Sequence, residues 1–203
     1  MRIARVILAA GQSSRFNGCK LIADVGNAQT MIARAVDTFK SDDALPTYII
    51  SGVWHSEITY VLADYKNIKI IHNPKWQEGL GKSIAVATEV ITNTQPVDGI
   101  LFMLADQVEL KSEHINTLLN AFGNKPTRWC ADYGERIGVP AIFPAADFKL
   151  LKALSCDKGA QHLLRHTDAE VNTIKLSDAR IDIDTQQQLQ QFIQSKNALA
   201  CNK

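Results

Sequence analysis

The feature that most constrains the fold lies at the start of the chain, where an apolar run changes abruptly into a polar one. Residues 3–10 are rich in β-branched and small side chains and show no helical period. This pattern predicts a strand buried on both faces, as the strands of a parallel sheet are. The following residues are small or polar and end with two cations, at positions 15 and 20. We therefore expect an α/β fold arranged around this strand and the loop that follows it.

The polar segment has the composition of an anion-binding loop. Gly11 can adopt a positive φ and lets a ligand approach the backbone, and Ser13 and Ser14 add hydroxyl donors. Successive backbone N–H groups in such a loop form an anion-binding concavity, to which Arg15 and Lys20 add positive charge. The segment is therefore a candidate polyphosphate site. An ordinary strand-to-helix turn with two solvated cations has the same composition, so the residues alone leave both interpretations open.

Strand and helix patterns alternate along most of the chain. After residues 3–10, strands are predicted at 47–51, 68–71, 99–104, 129–133, 138–143 and 171–176. Helical spacing of apolar residues predicts helices between them, with N-caps at Thr30, Ser112, Asp157 and Thr185. A helix is also predicted over residues 147–154. The alternation indicates a three-layer α/β/α fold with a mostly parallel, Rossmann-like sheet and right-handed crossovers.

Three aspartates follow or flank predicted strands. Asp106 comes just after the strand at 99–104, where open α/β sheets bind ligands, and carboxylate oxygens are the donors that Mg²⁺ prefers. A turn or helix-capping aspartate is the alternative at that position. Near the C-terminus, Asp182 and Asp184 alternate along an extended segment, which places both on the same side.

Length and composition exclude several classes of partner. The 203 residues fit one domain, which we place at residues 1–195 with a frayed tail at 196–203. A formal net charge of +1 gives no reason to expect a nucleic acid or an anionic membrane surface. No stretch is long enough to span a bilayer, and the apolar start does not lead into a signal-peptide cleavage site. The four cysteines are scattered, as reduced thiols in a cytoplasmic protein would be.

Two familiar nucleotide-binding motifs are not satisfied. Gly81-Lys82-Ser83 resembles the end of a Walker A motif, but that motif has a glycine where this chain has Trp76, and it follows the first strand of its fold. We therefore reject a P-loop, although a helix N-terminus that follows glycines can still hold a polar ligand edge. A dinucleotide-binding Rossmann enzyme is disfavoured because no G-x-G-x-x-G follows the first strand.

Motifs along nearly the whole chain resemble those of the nucleotidyltransferases of the molybdenum cofactor. Their signature Leu-Ala-Ala-Gly-x-Ser-x-Arg-x-Gly-x-x-Lys is matched at Leu8, Ala9, Ala10, Gly11, Ser13, Arg15 and Lys20. The resemblance is closest to the cytidylyltransferase branch of the MobA-like family, since the related guanylyltransferases carry Leu-Ala-Gly-Gly. The later matches are Gly79 and Ser83 in a nucleotide-contacting loop, Asp106 and Gln107 in the metal motif, Gly138 and Pro140 on the acceptor side, and Asp182 to Thr185.

This resemblance implies an enzyme with the fold of the nucleotide-diphospho-sugar transferases. It implies that CMP is transferred from CTP to the phosphate of molybdopterin with release of pyrophosphate, assisted by Mg²⁺ or alternatively Mn²⁺. The implied catalytic residues are Arg15, Lys20 and Asp106, and the implied metal ligands are Asp106 and Asp184. The implied nucleotide-binding residues are Leu8, Ala9, Ala10, Gly11, Ser13, Ser14, Arg15, Lys20, Asn73, Gly79 and Ser83. The implied acceptor-binding residues are Gln107, Gly138, Pro140 and Asp182.

The chain departs from the family motifs at Asn17, Lys82, Val108, Val139 and Gln161. Because several of these positions lie where acceptor contacts are expected, the acceptor stays open, and a sugar or alditol phosphate is the alternative substrate. A third hypothesis is a non-catalytic accessory protein that passes a nucleotide or cofactor to a molybdenum hydroxylase or its maturation factor. Retention of Arg15, Lys20, Asp106 and Asp184 argues against such a loss of catalysis.

Overall fold

A seven-stranded sheet forms the centre of the protein in the computed structural model, which describes residues 1–39, 45–155, 157–165, 169–179 and 182–201. The strands are β1 (Ile3–Ala9), β2 (Thr47–Ser51), β3 (Ile68–His72), β4 (Gly99–Leu104), β5 (Arg128–Asp132), β6 (Ile137–Pro144) and β7 (Val171–Lys175). The helices are α1 (Met31–Thr38), α2 (His55–Val61), α3 (Leu80–Thr94), α4 (Ser112–Asn124), α5 (Phe148–Lys152), α6 (Gln161–Arg165) and α7 (Gln186–Cys201).

The sheet is mostly parallel, with strand order β3-β2-β1-β4-β6-β5-β7. Strands β1 to β4 pair in parallel, as do β5 and β7, whereas β6 runs antiparallel to both of its neighbours. The predicted Rossmann-like arrangement is therefore confirmed, with β6 as its one reversed strand among the described residues.

The chain changes direction across the sheet between β1 and β4. It runs from β1 outward through β2 to β3 and then returns to place β4 on the other side of β1. Leu8 and Leu104 are paired near the carboxyl ends of these two strands, and Ala105 N–H donates to the Leu8 carbonyl at 3.2 Å. The loops after β1 and β4 therefore emerge side by side, at the kind of crevice where open α/β sheets bind ligands.

Side chains that alternate along β1 fill two separate cores. Ile7 packs in the core that includes α1, α2, α4 and α7, whereas Val6 and Leu8 pack in the core that includes α3, α5 and α6. Period-two alternation with both faces covered requires the nearly continuous apolar sequence of this strand. The three layers predicted from the sequence are thus present.

Several helix boundaries differ from the predictions. The side chains of Thr30 and Thr185 accept hydrogen bonds from the first turns of α1 and α7, at 3.3 and 3.2 Å, as N-caps do. Ser112 is instead the first residue of α4, which is preceded by Lys111 as its N-cap. Asp157 lies four residues before α6, so it does not cap that helix.

Two further helices of the sequence interpretation also differ in extent. The helix predicted over residues 147–154 is divided into a 3-10 turn at Ala145–Asp147 and the short α5. The last helix continues to Cys201, past the domain boundary proposed at residue 195. No helix within the described part of the chain is long and apolar enough to cross a membrane.

Candidate active site

A cavity of about 510 Å³ opens at the carboxyl ends of β1 and β4. The end of β1 and the segment after it line the cavity with all of the residues predicted there to bind nucleotide, which are Leu8, Ala9, Ala10, Gly11, Ser13, Ser14, Arg15 and Lys20. Asp106, Asp184, Gly79 and Ser83 line the same cavity. Segments far apart in the sequence are thus brought together as the resemblance implied.

Backbone geometry and one tryptophan shape the loop after β1. Ser13 and Asn17 have φ of 57° and 56°, and Gly18 has φ of 133°. Asn tolerates the left-handed region better than most residues, so Asn17 preserves the turn where the family motif has glycine. The indole N–H of Trp54 donates to the Gln12 carbonyl at 3.1 Å, which ties the loop to the start of α2. Trp54 does not line the cavity, so the loop is anchored by a residue outside it.

Lys20 lies at the centre of an ion-pair cluster. Its Nζ is 2.6 Å from Asp106 Oδ2, 2.9 Å from Asp184 Oδ1 and 2.9 Å from the Ile183 carbonyl oxygen. Arg15 donates to the other carboxylate oxygen of Asp184 at 2.7 Å. The cluster joins the loop after β1, the end of β4 and the segment before α7.

The cluster shifts the pKa values of its members. Burial by itself would lower the pKa of Lys20, but the charge and hydrogen bond of Asp106, together with those of Asp184, outweigh it and raise the pKa. Burial of Asp184 opposes its ionisation, yet Lys20 and Arg15 lower its pKa below the ordinary value. Lys20 and Asp184 are therefore ionised together near neutral pH.

The residues fit a divalent cation that a phosphate ligand would share. Asp106 lines the cavity, and its Oδ1 is buried and has no hydrogen-bond partner among the described residues, so one of its carboxylate oxygens is unpaired. No group of three or more His, Cys, Asp or Glu side chains that could hold a metal occurs within those residues. Mg²⁺ is commonly bound by one or two carboxylates plus substrate phosphates, so two aspartates suffice.

The loop before α3 contributes through two of its three predicted residues. Gly79 has φ of 96° and lines the cavity together with Ser83. Asn73 is fully buried and does not line the cavity; its side-chain amide donates to Ser83 Oγ at 3.1 Å, so its contact is with a lining residue. Lys82 lies 3.6 Å from Glu78 and is not among the residues that line the cavity, consistent with rejection of a P-loop.

A second cavity of about 180 Å³ adjoins the first. Leu8, Leu80 and Leu104 line both cavities, so the two cavities share part of their walls. Gln107, Gly138 and Asp182, three of the four predicted acceptor-binding residues, line the second cavity. Pro140 does not line it, although its neighbour Val139 does.

Most of the wall of the second cavity is apolar, and the buried side-chain amide of Gln107 is already hydrogen-bonded within the protein. Gln107 Oε1 accepts from the Leu104 N–H at 3.2 Å, and its Nε2 donates to Tyr133 and to the Val139 carbonyl, both at 3.0 Å. The Tyr133 hydroxyl also donates to the Val139 carbonyl, at 2.8 Å. Gln107 is therefore oriented by the protein and forms part of the wall.

Neighbouring residues divide between the two cavities. Asp106 lines the first and Gln107 the second, and likewise Asp184 lines the first and Asp182 the second, with Ile183 buried between them. Asp182 is not in a strand; a single bridge joins it to Gln107. The extended strand on which the alternation argument rested is not present here, and the two aspartates line different cavities.

Arg136 is a charged residue of the second cavity that the sequence interpretation missed. It donates to Asp182 Oδ2 at 2.8 Å and lies 5.9 Å from the centre of the Tyr133 ring. Burial and the charge of Asp106 raise the pKa of Asp182, in opposition to Arg136. The sequence gave no local sign of this ion pair, because Arg136 and Asp182 are 46 residues apart.

Other lining residues were also missed. Trp76, Gln77, Leu80 and Asp157 line the first cavity, and Lys158 lines the second. Trp76 and Gln77 precede Gly79 in a loop already predicted to contact nucleotide, so their position in that loop was an available signal. Asp157 was interpreted as a helix cap.

The fold and the site define a class of protein. Cations at one side of a cavity, a donor-rich loop and carboxylates at a sheet switch point are suited to bind a nucleoside triphosphate. Residues 5–171 match the MobA-like NTP transferase domain family, and the chain belongs to that family.

The chain is also similar to individual proteins. The chain is similar to the purine catabolism protein PucB of Bacillus subtilis (strain 168), with 25% identity over 195 residues that cover 89% of this chain and 90% of the relative. It is also similar in fold to the crystal structure of an Rv0371c homologue from Mycobacterium sp. strain JC1, with TM-score 0.80, 24% identity and 98% of each chain covered. A manganese complex of Rv0371c from Mycobacterium tuberculosis H37Rv gives TM-score 0.76 and 21% identity over 96% of this chain and all of that one.

Proposed function

We propose that the protein transfers CMP from CTP to the phosphate of a small-molecule acceptor and releases pyrophosphate. The observation that carries the proposal is the pair of adjoining cavities, whose border is formed by Asp106 and Gln107 on one segment and Asp182 and Asp184 on another. A group transfer between two substrates requires two binding sites that meet at the reacting atoms. The cations and carboxylates on the side of the first cavity support binding of the triphosphate there.

Charge neutralisation is the main catalytic requirement, because an anionic acceptor must attack an anionic phosphate. The backbone N–H groups after β1 and the guanidinium of Arg15 would bind the β- and γ-phosphates, and Lys20 would stabilise charge near the α-phosphate. Asp106 and Asp184 would hold Mg²⁺, which neutralises phosphate oxygens when bound. Manganese in the Rv0371c complex supports a divalent cation in this fold. No covalent protein nucleophile is required.

For the acceptor, we propose molybdopterin, in line with the cytidylyltransferase branch. The apolar walls of the second cavity, among them Phe102, Phe143 and Leu164, favour an acceptor with a flat ring system. A sugar or alditol phosphate would bury several hydroxyls there, and two of the polar groups that could bind them, those of Gln107 and Tyr133, are hydrogen-bonded to the protein. Such polyol acceptors are therefore the weaker alternative.

The likeness to PucB supports a second candidate function. That relative is described as a purine catabolism protein, which is compatible with an accessory role toward a purine-oxidising molybdenum hydroxylase. In this case the chain would bind a nucleotide or a nucleotide-bearing cofactor without forming a new bond.

Pyrophosphate release tests both candidates. The protein is incubated with Mg²⁺, each of the four nucleoside triphosphates, and molybdopterin in its molybdenum-bound or molybdenum-free form, with an alditol phosphate in a parallel series. We expect release with CTP and molybdopterin and its loss in Asp106→Asn, whereas Asp64→Asn, an exposed aspartate remote from both cavities, keeps it. CTP binding without release from any acceptor would favour the accessory role.

A further inference from the structure

The four carboxylate oxygens of Asp106 and Asp184 are unequally available. Lys20 donates to Asp106 Oδ2 and Asp184 Oδ1, and Arg15 donates to Asp184 Oδ2. Asp106 Oδ1 is the remaining oxygen and has no partner among the described residues. Both oxygens of Asp184 are thus held by the protein's own cations, whereas Asp106 keeps one free.

The ammonium of Lys20 is fixed in this position. Its third acceptor is the backbone carbonyl of Ile183, at 2.9 Å, and the side chain is only 12% exposed. Three short contacts from three acceptors surround the ammonium much as ligands surround a cation. A divalent ion that used Asp184 would therefore compete with Lys20 for the same oxygens and would be repelled by its charge.

A triphosphate offers these cations other partners. Arg15 is 71% exposed at the cavity and Lys20 lines it, so both can reach anionic oxygens bound there. Each charged hydrogen bond transferred to a phosphate releases an oxygen of Asp184. We propose that Lys20 and Arg15 keep a divalent cation from Asp184 until the phosphates of a nucleotide draw them away, so that metal and nucleotide bind cooperatively. This inference rests on the proposed metal-dependent transfer.

The first test measures binding of Mn²⁺ alone to the full chain, without nucleotide, from the electron paramagnetic resonance signal of free Mn²⁺. We expect Lys20→Met to bind Mn²⁺ about tenfold more tightly than wild type, as expected when a coupled competitor is removed. Arg15→Met should give a smaller gain, since it frees one oxygen only. Lys82→Met removes the same charge from a lysine that contacts Glu78 instead, and is the matched control.

The second test measures the reciprocal effect, which is the binding of CTP in the absence of metal. In the presence of EDTA, Asp184→Asn releases Lys20 and Arg15, so CTP should bind more tightly than to wild type. Asp157→Asn removes an equal charge from the same cavity without an ion pair to either cation among the described residues and measures the general effect of charge on anion binding. We expect the gain from Asp184→Asn to exceed that of Asp157→Asn by about tenfold.

The outcomes separate this inference from the proposed function. If Lys20→Met binds Mn²⁺ no more tightly than Lys82→Met, and Asp184→Asn binds CTP no more tightly than Asp157→Asn, the competition does not exist and the inference is wrong, while the transfer reaction still stands. If wild type and every variant fail to bind Mn²⁺ without nucleotide, the inference is wrong; if they also fail to bind it in the presence of CTP, Asp106 and Asp184 do not hold a divalent cation and the metal-dependent function fails as well.

Discussion

At the scale of single residues, Asp184 shows how one carboxylate is controlled by groups far away in sequence. Lys20 is 164 residues from it and Arg15 is 169 residues from it, yet both donate to it at less than 3 Å. The motif in the first loop marked both cations, and the Asp-Ile-Asp segment marked the acid. Their mutual contact depends on the whole sheet and could not be derived from spacing.

The lowered pKa of Asp184 has a consequence for stability. A carboxyl group whose pKa is lower in the folded state stabilises the fold at pH values above 3.8, its ordinary value, and that contribution is lost as the pH falls through the lowered pKa. We expect Asp184→Asn to reduce the free energy of unfolding by about 1 kcal/mol at pH 7, a modest value because the side chain is partly exposed.

The measurement is urea unfolding of wild type and Asp184→Asn from pH 7 down to pH 3. The difference between the two proteins should be largest at neutral pH and shrink toward zero as the acid range is entered. A difference that grows on acidification would contradict the assigned direction of the shift. Asp157→Asn serves as the control for loss of one charge in the cavity.

At the scale of secondary-structure elements, Arg128 connects the sheet to α5 through a buried ion pair and to α6 through a hydrogen bond. Arg128, at the start of β5, donates to Asp147 Oδ2 at 2.7 Å and Oδ1 at 2.6 Å, and also to the Leu163 carbonyl in α6 at 2.7 Å. Both side chains are less than 10% exposed. Asp147 is the first residue of the helix predicted over residues 147–154, so its sequence context gave no sign of this role.

Removal of one partner should cost far more than removal of both. Asp147→Leu leaves a buried guanidinium without its carboxylate, and we expect it to lose about 3–5 kcal/mol of unfolding free energy. The double variant Arg128→Met/Asp147→Leu should recover most of that loss, because it buries no unpaired charge. Chemical denaturation of the two single variants and the double variant measures the coupling; a double variant as unstable as Asp147→Leu would refute this account.

The packing of Gly52 joins the two loops of the first cavity. A Cβ at this position would lie 2.3 Å from the Ala10 carbonyl oxygen and 2.8 Å from Trp76 Cβ. Gly52→Ala should therefore separate the loop after β1 from that before α3, lower stability by about 1–3 kcal/mol and weaken CTP binding. Gly123→Ala is the control, since a Cβ in α4 there meets nothing within 4 Å and should be neutral or stabilising. Equal CTP affinity in both variants would contradict the prediction.

The elements that sequence predicted well are those whose burial is uniform. Strands β1, β2 and β4 are buried along nearly their whole length, so their continuous apolar runs are unambiguous. The short helices α5 and α6 have five residues each, too few for periodicity to define their ends. Their positions follow from tertiary contacts such as those of Arg128, which local patterns do not contain.

At the scale of the whole molecule, different segments of the chain, all placed by the same sheet, build the two cavities. Segments after β1 and β3 build most of the first cavity, whereas β6 and the region of α6 build much of the second. The family motifs identified residues in both. Arg136, Lys158 and the apolar walls of the second cavity were not anticipated, because the residues that select an acceptor carry no general sequence signature.

This division predicts that acceptor binding can be blocked without loss of nucleotide binding. Gly138 lines the second cavity, and a Cβ built on it meets nothing within 4 Å, so Gly138→Leu adds a side chain to open space. In a cavity of about 180 Å³, a leucine would occupy room that the acceptor needs. We expect the KM for the acceptor identified by pyrophosphate release to rise about tenfold or more, consistent with the loss of a few contacts, while the affinity for CTP stays within twofold of wild type. Gly123→Leu, on the surface of α4, should change neither quantity. A parallel loss of CTP affinity in Gly138→Leu would mean that the two cavities form one site, and transfer between separately bound substrates would have to be abandoned.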